Sequence, residues 1–157
     1  MIKKIRVDHR LIHGQVGFTW TKFLEADCIL IASDDLMEDS LKMTAMKMAK
    51  PSGVKLVMKN IEDSAAAINS GVTDKYKLFI LCESVKDVYR LTKLVPNIKE
   101  INLGGMKNAK DRTQVSKAVH LSEEDIKMIR EMSAAGIKQT VQLVPDDKAV
   151  EIEKLLP

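Results

Sequence analysis

The stretch Arg6-Val7-Asp8-His9-Arg10-Leu11-Ile12-His13-Gly14-Gln15-Val16 decides how this chain is read. Behind it, residues 2–7 alternate apolar side chains as a strand does. Ahead of it, Val16, Trp20, Phe23 and Leu24 recur at three- and four-residue spacing and share one helical face. The stretch is a strand-to-helix connection, yet it holds two arginines, an acid, two histidines, a glycine and an amide. A loop that only turned the chain would need none of them. In an open α/β sheet, ligands bind in the loops beyond the carboxyl ends of the strands. The amino end of the following helix offers free N–H groups and a positive dipole end suited to phosphate.

The alternation continues outward. Residues 28–32 form a continuous apolar run, as expected of a strand covered on both faces. Ser33-Asp34-Asp35 then starts a helix in which Met37, Leu41, Ala45 and Met48 read as one core-packing face, and Pro51-Ser52-Gly53 stops it. Residues 54–58 are a third strand. Asn60 with Asp63 opens a helix on Ile61, Ala65 and Ile68, closed by Gly71. Residues 78–82 are a fourth strand and, with the second, the expected centre of the sheet. Ser84 with Asp87 has the capping pattern ahead of Val85, Val88, Leu91 and Val95. A fifth strand, 100–103, ends in Gly104-Gly105. Residues 115–120 read as a strand, Ser122 with Asp125 as the cap of a helix on Ile126, Ile129 and Ser133, and Gly136 as its stop. Residues 138–144 read as a last, edge-lying strand, followed by a short helix from Asp146. This pattern predicts a single doubly wound α/β domain over residues 1–157, with a mostly parallel central sheet of about seven strands and helices on both faces. Parallel strands bring the loops at residues 8–14, 33–35, 83–84 and 104–112 to one edge.

Composition narrows the function. With 157 residues, 45% hydrophobic and 30% charged, the chain suits a soluble globular domain rather than a disordered one. The net charge of +3 is spread without aromatic interleaving, so nucleic acid is not an expected partner. Cys28 and Cys82 sit in apolar strand-like runs and read as reduced core thiols of a cytosolic protein, with a disulfide or metal pair the weaker alternative. No run has signal-peptide or membrane-spanning length, so a membrane role is expected to go through a partner. There is no Walker loop, dinucleotide fingerprint or metal-ligand spacing; no cofactor and no metal are expected.

His13, one residue before Gly14 at the start of the first helix, is an imidazole beside backbone N–H donors, which suit a phosphoryl group carried on the ring. Arg10 offers a planar fork of donors to phosphate oxygens, and Asp8 can orient an imidazole or an arginine. Gly14 clears space for backbone to approach. The constellation fits covalent phosphoryl transfer through histidine. Spacing alone leaves alternatives open: a histidine at a helix start is often a cap or surface residue, and His9 is a second candidate imidazole. By the same reading His120 is structural, Arg6 pairs with an acid at the strand edge, and Gly104-Gly105 is a turn.

The quoted stretch closely resembles the active-site signature of the IIB subunits of the mannose/fructose/sorbose class of the bacterial phosphoenolpyruvate-dependent sugar phosphotransferase system. Asp34-Asp35, Ile101-Asn102-Leu103-Gly104-Gly105-Met106, residues 114–119, Ser122-Glu123-Glu124-Asp125-Ile126 and Val144-Pro145 also resemble the family, in order along the whole chain. The resemblance implies that His13 is the phosphoryl carrier. It would accept the group from the phosphohistidine of a IIA domain or subunit and pass it to a sugar held by the membrane subunits IIC and IID. Arg10 would then steady the phosphoryl oxygens and Asp8 orient the ring. Backbone around Leu11, Ile12, Gly14 and Gln15, with Arg6 and Ser84, would complete the site; for Ser84 a plain helix cap is equally compatible. The expected location is cytoplasmic, at the inner face of the membrane through IIC and IID. The sugar and any homo-oligomer are left open. One departure stands out: His9 occupies a position that is usually Asp or Glu in the family, which implies help in binding the phosphoryl group or a shifted pH range of transfer. Lys107, Lys110 and Arg112 are expected to aid partner docking by charge. The alternative from another class is a regulatory module that binds a phosphorylated partner on the same loop without turnover.

Overall fold

The structure, a computed structural model, describes residues 1–157. Its strands are β1 (Ile2–Asp8), β2 (Cys28–Ala32), β3 (Lys55–Lys59), β4 (Leu78–Cys82), β5 (Glu100–Gly105), β6 (Thr113–Gln114), β7 (His120–Leu121), β8 (Lys138–Val141) and β9 (Val150–Glu151). Its helices are α1 (Gly14–Leu24), α2 (Asp34–Met37), α3 (Ser40–Ala49), α4 (Ile61–Asn69), α5 (Val85–Leu94) and α6 (Glu123–Ala134). Seven strands pair in the order β3-β2-β4-β1-β5-β8-β9, parallel except for the edge strand β9. β1 is the middle strand, between β4 and β5, so its carboxyl end opens at the centre of one edge of the sheet.

The two faces are covered by different layers. Ile5 and Val7 of β1, with Leu30, Ile80 and Leu103, pack on Ile61 and Ala65 of α4, Val85, Val88 and Leu91 of α5, and Ile129 of α6. Ile29, Ile31, Phe79 and Leu81 pack on the opposite face against Trp20 of α1, Leu36 of α2 and Met46 of α3. A strand buried on both sides has to be apolar at every position, which is why β2 and β4 carry no polar residue. The expected caps form: Asn60 accepts from the Asp63 amide, Ser84 from that of Asp87, and Ser122 with Asp125 closes a full capping box. Cys28 and Cys82 are free, buried thiols, and burial pushes both thiols up from their ordinary range.

Several expectations are corrected. The sheet centre is β1 with β4, not β2 with β4. Residues 115–120 are not a strand of the main sheet; β6 and β7 pair antiparallel across a tight turn closed by the Val115 amide on the Val119 carbonyl. The expected strand over 138–144 stops at Val141, and the chain returns as β9 instead of forming a helix from Asp146; a single 3-10 turn follows at Ile152–Lys154. The helix expected over Met37 to Met48 is two, because Asp39 recaps the chain by accepting from the Lys42 amide. The break rotates the apolar stripe outward: Leu41 is 82% and Met48 83% exposed, and Met46 packs instead. On α1, Trp20 is buried while Phe23, expected on its face, is exposed and meets the Trp20 ring edge-on.

Candidate active site

Side chains two apart on a strand share a face, so Arg6 and Asp8 of β1 both point toward α1 while Ile5 and Val7 point away. Arg6 is 1% and Asp8 2% exposed. Burial draws the Arg6 guanidinium below its ordinary range, opposed by the Asp8 carboxylate, whose Oδ2 accepts from Nη2 at 3.1 Å. Arg6 Nη1 donates to Asn102 Oδ1 at 2.5 Å and to the Gln142 carbonyl at 2.9 Å, and the guanidinium lies over the Trp20 ring, 5.3 Å from its centroid. Register explains the first bond, since Arg6 stands opposite Asn102 on β5. Gly104 explains the fit: a Cβ there would lie 2.1 Å from Arg6 Cζ. The guanidinium occupies the room that a side chain would take.

Asp8 has three donors on two oxygens. Oδ1 accepts the Arg10 amide at 3.0 Å; Oδ2 accepts Arg6 and, at 2.9 Å, Nε2 of His13. A carboxylate that only accepts fixes the proton of His13 on Nε2 and leaves Nδ1 with the lone pair. Between them the loop is tightly wound. The Leu11 amide donates to the Asp8 carbonyl at 2.9 Å, and Leu11 takes the left-handed region at φ 56° with its side chain 2% exposed. Ile12 is equally buried, and a Cβ on Gly17 would sit 3.2 Å from its Cγ2, so α1 packs closely on the loop at a glycine. The first helical bond of α1 runs from the Gly17 amide to the His13 carbonyl at 3.1 Å. The amides of Gly14 and Gln15 lie ahead of it, unused by the helix.

His13 opens onto a cavity of about 240 Å³ whose walls include His9, Arg10, Gly105, Lys107 and His120. His9 is held at the backbone by its amide on the Gly105 carbonyl at 3.0 Å, while its Nδ1 is buried without a partner. On the far side of the loop, Lys42 of α3 pairs with Glu83, whose other oxygen accepts from Ser33 at 3.0 Å; Lys42 Nζ also lies 3.5 Å from the His9 carbonyl. No cluster of ligands suited to a metal ion is present.

The chain as a whole is matched elsewhere. The family model for the phosphotransferase system sorbose subfamily IIB component matches residues 2–157. The chain belongs to that family. The sorbose-specific EIIB component of Lacticaseibacillus casei is 34% identical over 97% of this chain and 93% of its own length. The mannose-specific EIIAB component of Escherichia coli is 30% identical over 96% of this chain and 47% of its own length. The crystal structure of the IIBSor domain of the sorbose permease from Klebsiella pneumoniae superposes with a TM-score of 0.93 at 32% identity, covering 98% of this chain and 94% of that one.

The residues expected in this IIB component fall into three groups. His13, Asp8, Arg10 and the amides of Gly14 and Gln15 converge on one loop, with the Arg10 side chain exposed at the cavity rim. Arg6, Leu11 and Ile12 sit behind that surface: Arg6 is enclosed and bonded to Asp8, and the Leu11 amide is committed to the Asp8 carbonyl. Ser84 does not line the cavity; its hydroxyl caps α5, at 3.1 Å from the Asp87 amide. Of the three cations expected to aid docking, Arg112 is tied to Asp125 at 3.7 Å and to the His120 carbonyl at 3.2 Å, leaving Lys107 and Lys110 exposed. Sequence reasoning missed the Ser33–Glu83–Lys42 chain and the cavity position of His120. The first had a signal in the convergence of the loops after β2 and β4. His120 had none before the hairpin was known.

Proposed function

We propose that His13 of this phosphotransferase-system IIB component carries a phosphoryl group on Nδ1, between the phosphohistidine of a IIA domain and a sugar bound by the membrane subunits IIC and IID. The 2.9 Å bond from His13 Nε2 to Asp8 carries the reading, because it leaves Nδ1 as the nucleophile. The Nδ1 lone pair forms the new N–P bond as the P–N bond to the donor imidazole breaks, and the donor ring retains that electron pair. In the second half the sugar hydroxyl attacks phosphorus, the His13 N–P bond breaks with its pair returning to Nδ1, and the hydroxyl proton leaves to solvent. Arg10 and the amides of Gly14 and Gln15 supply donors to the phosphoryl oxygens, where charge is spread during transfer. Asp8 keeps its charge throughout and holds the proton on Nε2.

The relative whose name joins IIA and IIB in one chain supports a IIA partner. No helix is long and apolar enough to cross a membrane; in this reading the sugar is held by other subunits and is reached from the cytoplasmic face. Relatives are named for sorbose, fructose, N-acetylgalactosamine and mannose, which supports a hexose-class acceptor without choosing among them.

Incubation with phosphoenolpyruvate, enzyme I, the phosphocarrier protein and a matching IIA, followed by intact mass, tests the reading. One acid-labile phosphoryl group should appear, and be absent from His13→Ala alone. Loss in His9→Ala instead would move the carrier to the other loop imidazole. No label on wild type, with a IIA active on another IIB, would favour a regulatory module.

A further inference from the structure

His120, unused in that mechanism, belongs to the wall of the His13 cavity. Its ring is held at one nitrogen: Nδ1 lies 3.1 Å from the Met106 carbonyl, which only accepts, so Nδ1 carries a proton. That carbonyl is itself fixed, because the Met106 amide donates to Ala118 at 3.0 Å and ties the end of β5 to the β6–β7 hairpin. Only Nε2 is left for the cavity.

The surroundings of that nitrogen favour an anion. The ionisable residues of the cavity wall are Asp8, His9, Arg10, His13, Lys107 and His120. Asp8 is the single acid among them, is 2% exposed, and already accepts from Arg6, Arg10 and His13. From the hairpin side, Arg112 donates to the His120 carbonyl and faces Asp125, so that acid is engaged away from the ring. A phosphoryl dianion on His13 would enter a chamber lined by donors with no free carboxylate.

We propose that His120 is a phosphoryl-binding residue. Once His13 is phosphorylated, Nε2 of His120 takes a proton from solvent and donates it in a hydrogen bond to a phosphoryl oxygen, while Nδ1 stays on Met106. The inference rests on the phosphoryl-carrier reading of His13. It also accounts for the β6–β7 hairpin, whose first residue after the turn presents this ring.

Two amide substitutions separate the roles of the two nitrogens. In His120→Asn the side-chain amide replaces Nδ1, keeping the Met106 bond and losing the cavity donor. In His120→Gln it replaces Nε2, keeping the cavity donor and losing the Met106 bond. Phosphoryl transfer from phosphorylated IIA and the half-life of phosphorylated His13 should both fall by about tenfold or more in His120→Asn, the scale of one charge-assisted hydrogen bond. In His120→Gln both should stay within about threefold of wild type. The ¹⁵N shift of His120 Nε2 should move toward the protonated value when wild type is phosphorylated. Transfer in His120→Asn equal to wild type, losses as large in the Gln variant as in the Asn variant, or an unmoved Nε2 shift would each overturn the proposal. Absence of label on wild-type His13 would instead overturn the carrier reading beneath it.

Discussion

Asp8→Asn is the sharpest probe of the site, because it keeps the shape of the side chain and removes only its charge and one acceptor. Three donors converge on the carboxylate, two of them on Oδ2. An asparagine has a single oxygen. With that oxygen toward Arg10, the amide nitrogen faces the N–H groups of Arg6 and His13. Turned around, it satisfies those two and confronts the Arg10 amide. Arg6, 1% exposed, keeps Asn102 and the Gln142 carbonyl, so its charge is not abandoned but loses its counter-ion. Unsatisfied buried donors cost roughly 1–3 kcal/mol each, and breaking a buried ion pair about 3–5 kcal/mol. With those residual partners, a loss of about 3 kcal/mol is expected. At about 2–4 °C per kcal/mol for a chain of this size, the midpoint of thermal unfolding should fall by roughly 6–12 °C. Transfer should suffer more than stability explains. The Asn amide can donate to His13 Nε2, which moves the ring proton to Nδ1 and removes the lone pair. Labelling from IIA well below the melting temperature should slow severely, by up to about ten-thousandfold, the scale seen for an imidazole held in the wrong tautomer. A melting point within about 2 °C of wild type would refute the buried-pair account. Undiminished labelling of folded protein would refute the tautomer argument.

Other outcomes follow from neighbouring features. Gly104→Ala drives a methyl to 2.1 Å from Arg6 Cζ and should cost about 2–3 kcal/mol in urea denaturation; stability equal to wild type would mean the guanidinium has room to move. His9→Asp restores the residue usual in the resembled family. The two should differ in the pH profile of transfer, because an imidazole and a carboxylate place different charge beside the phosphoryl group; superimposable pH profiles would remove His9 from phosphoryl binding. Asp87 is held up to about 6, from 3.8, first by burial and then by the nearby carboxylates of Asp34, Asp35 and Glu83. A raised folded value favours the protonated side chain, so this group costs stability as pH rises through about 6. Asp87→Asn should therefore melt about 2–4 °C above wild type at neutral pH and lose that advantage at about pH 4, and a constant difference across that range would contradict the assignment.

The alternation of apolar runs and capped helices made the parallel sheet legible, because each strand buried on both faces must be apolar throughout. That Asp8, Arg10 and His13 come together on one loop was equally legible, since its inventory exceeds what a turn needs. What escaped was set by tertiary geometry. The Met37–Met48 spacing was helical and apolar, but a single cap at Asp39 re-phased the helix and put Leu41 and Met48 into solvent. Arg6 looked like an edge residue because nothing local shows that β1 is the middle strand. Its alternation with Val7 nonetheless put it on the face of Asp8, the one hint that the two form a buried pair. Ser84 has the same cap signature whether or not it touches a ligand, and only the cavity wall distinguishes them. The hairpin that brings His120 to the site depends on a two-residue pairing too short to leave a periodic trace.

The placement of β1 has a mechanical result. The strand that leads into His13 is clamped by hydrogen bonds on both flanks, and its loop is wound shut by the Leu11 amide over two buried side chains. The ordering entropy of that loop is therefore settled when the chain folds, not at each encounter with a partner. On the proposed carrier role, His13 would keep one posture, as a rigid baton does, while donor and acceptor exchange places around it. Discrimination between them then rests on how well each partner's surface accepts an unyielding protrusion, and the rate of hand-over on whole-molecule diffusion and docking rather than on any closing motion of the loop.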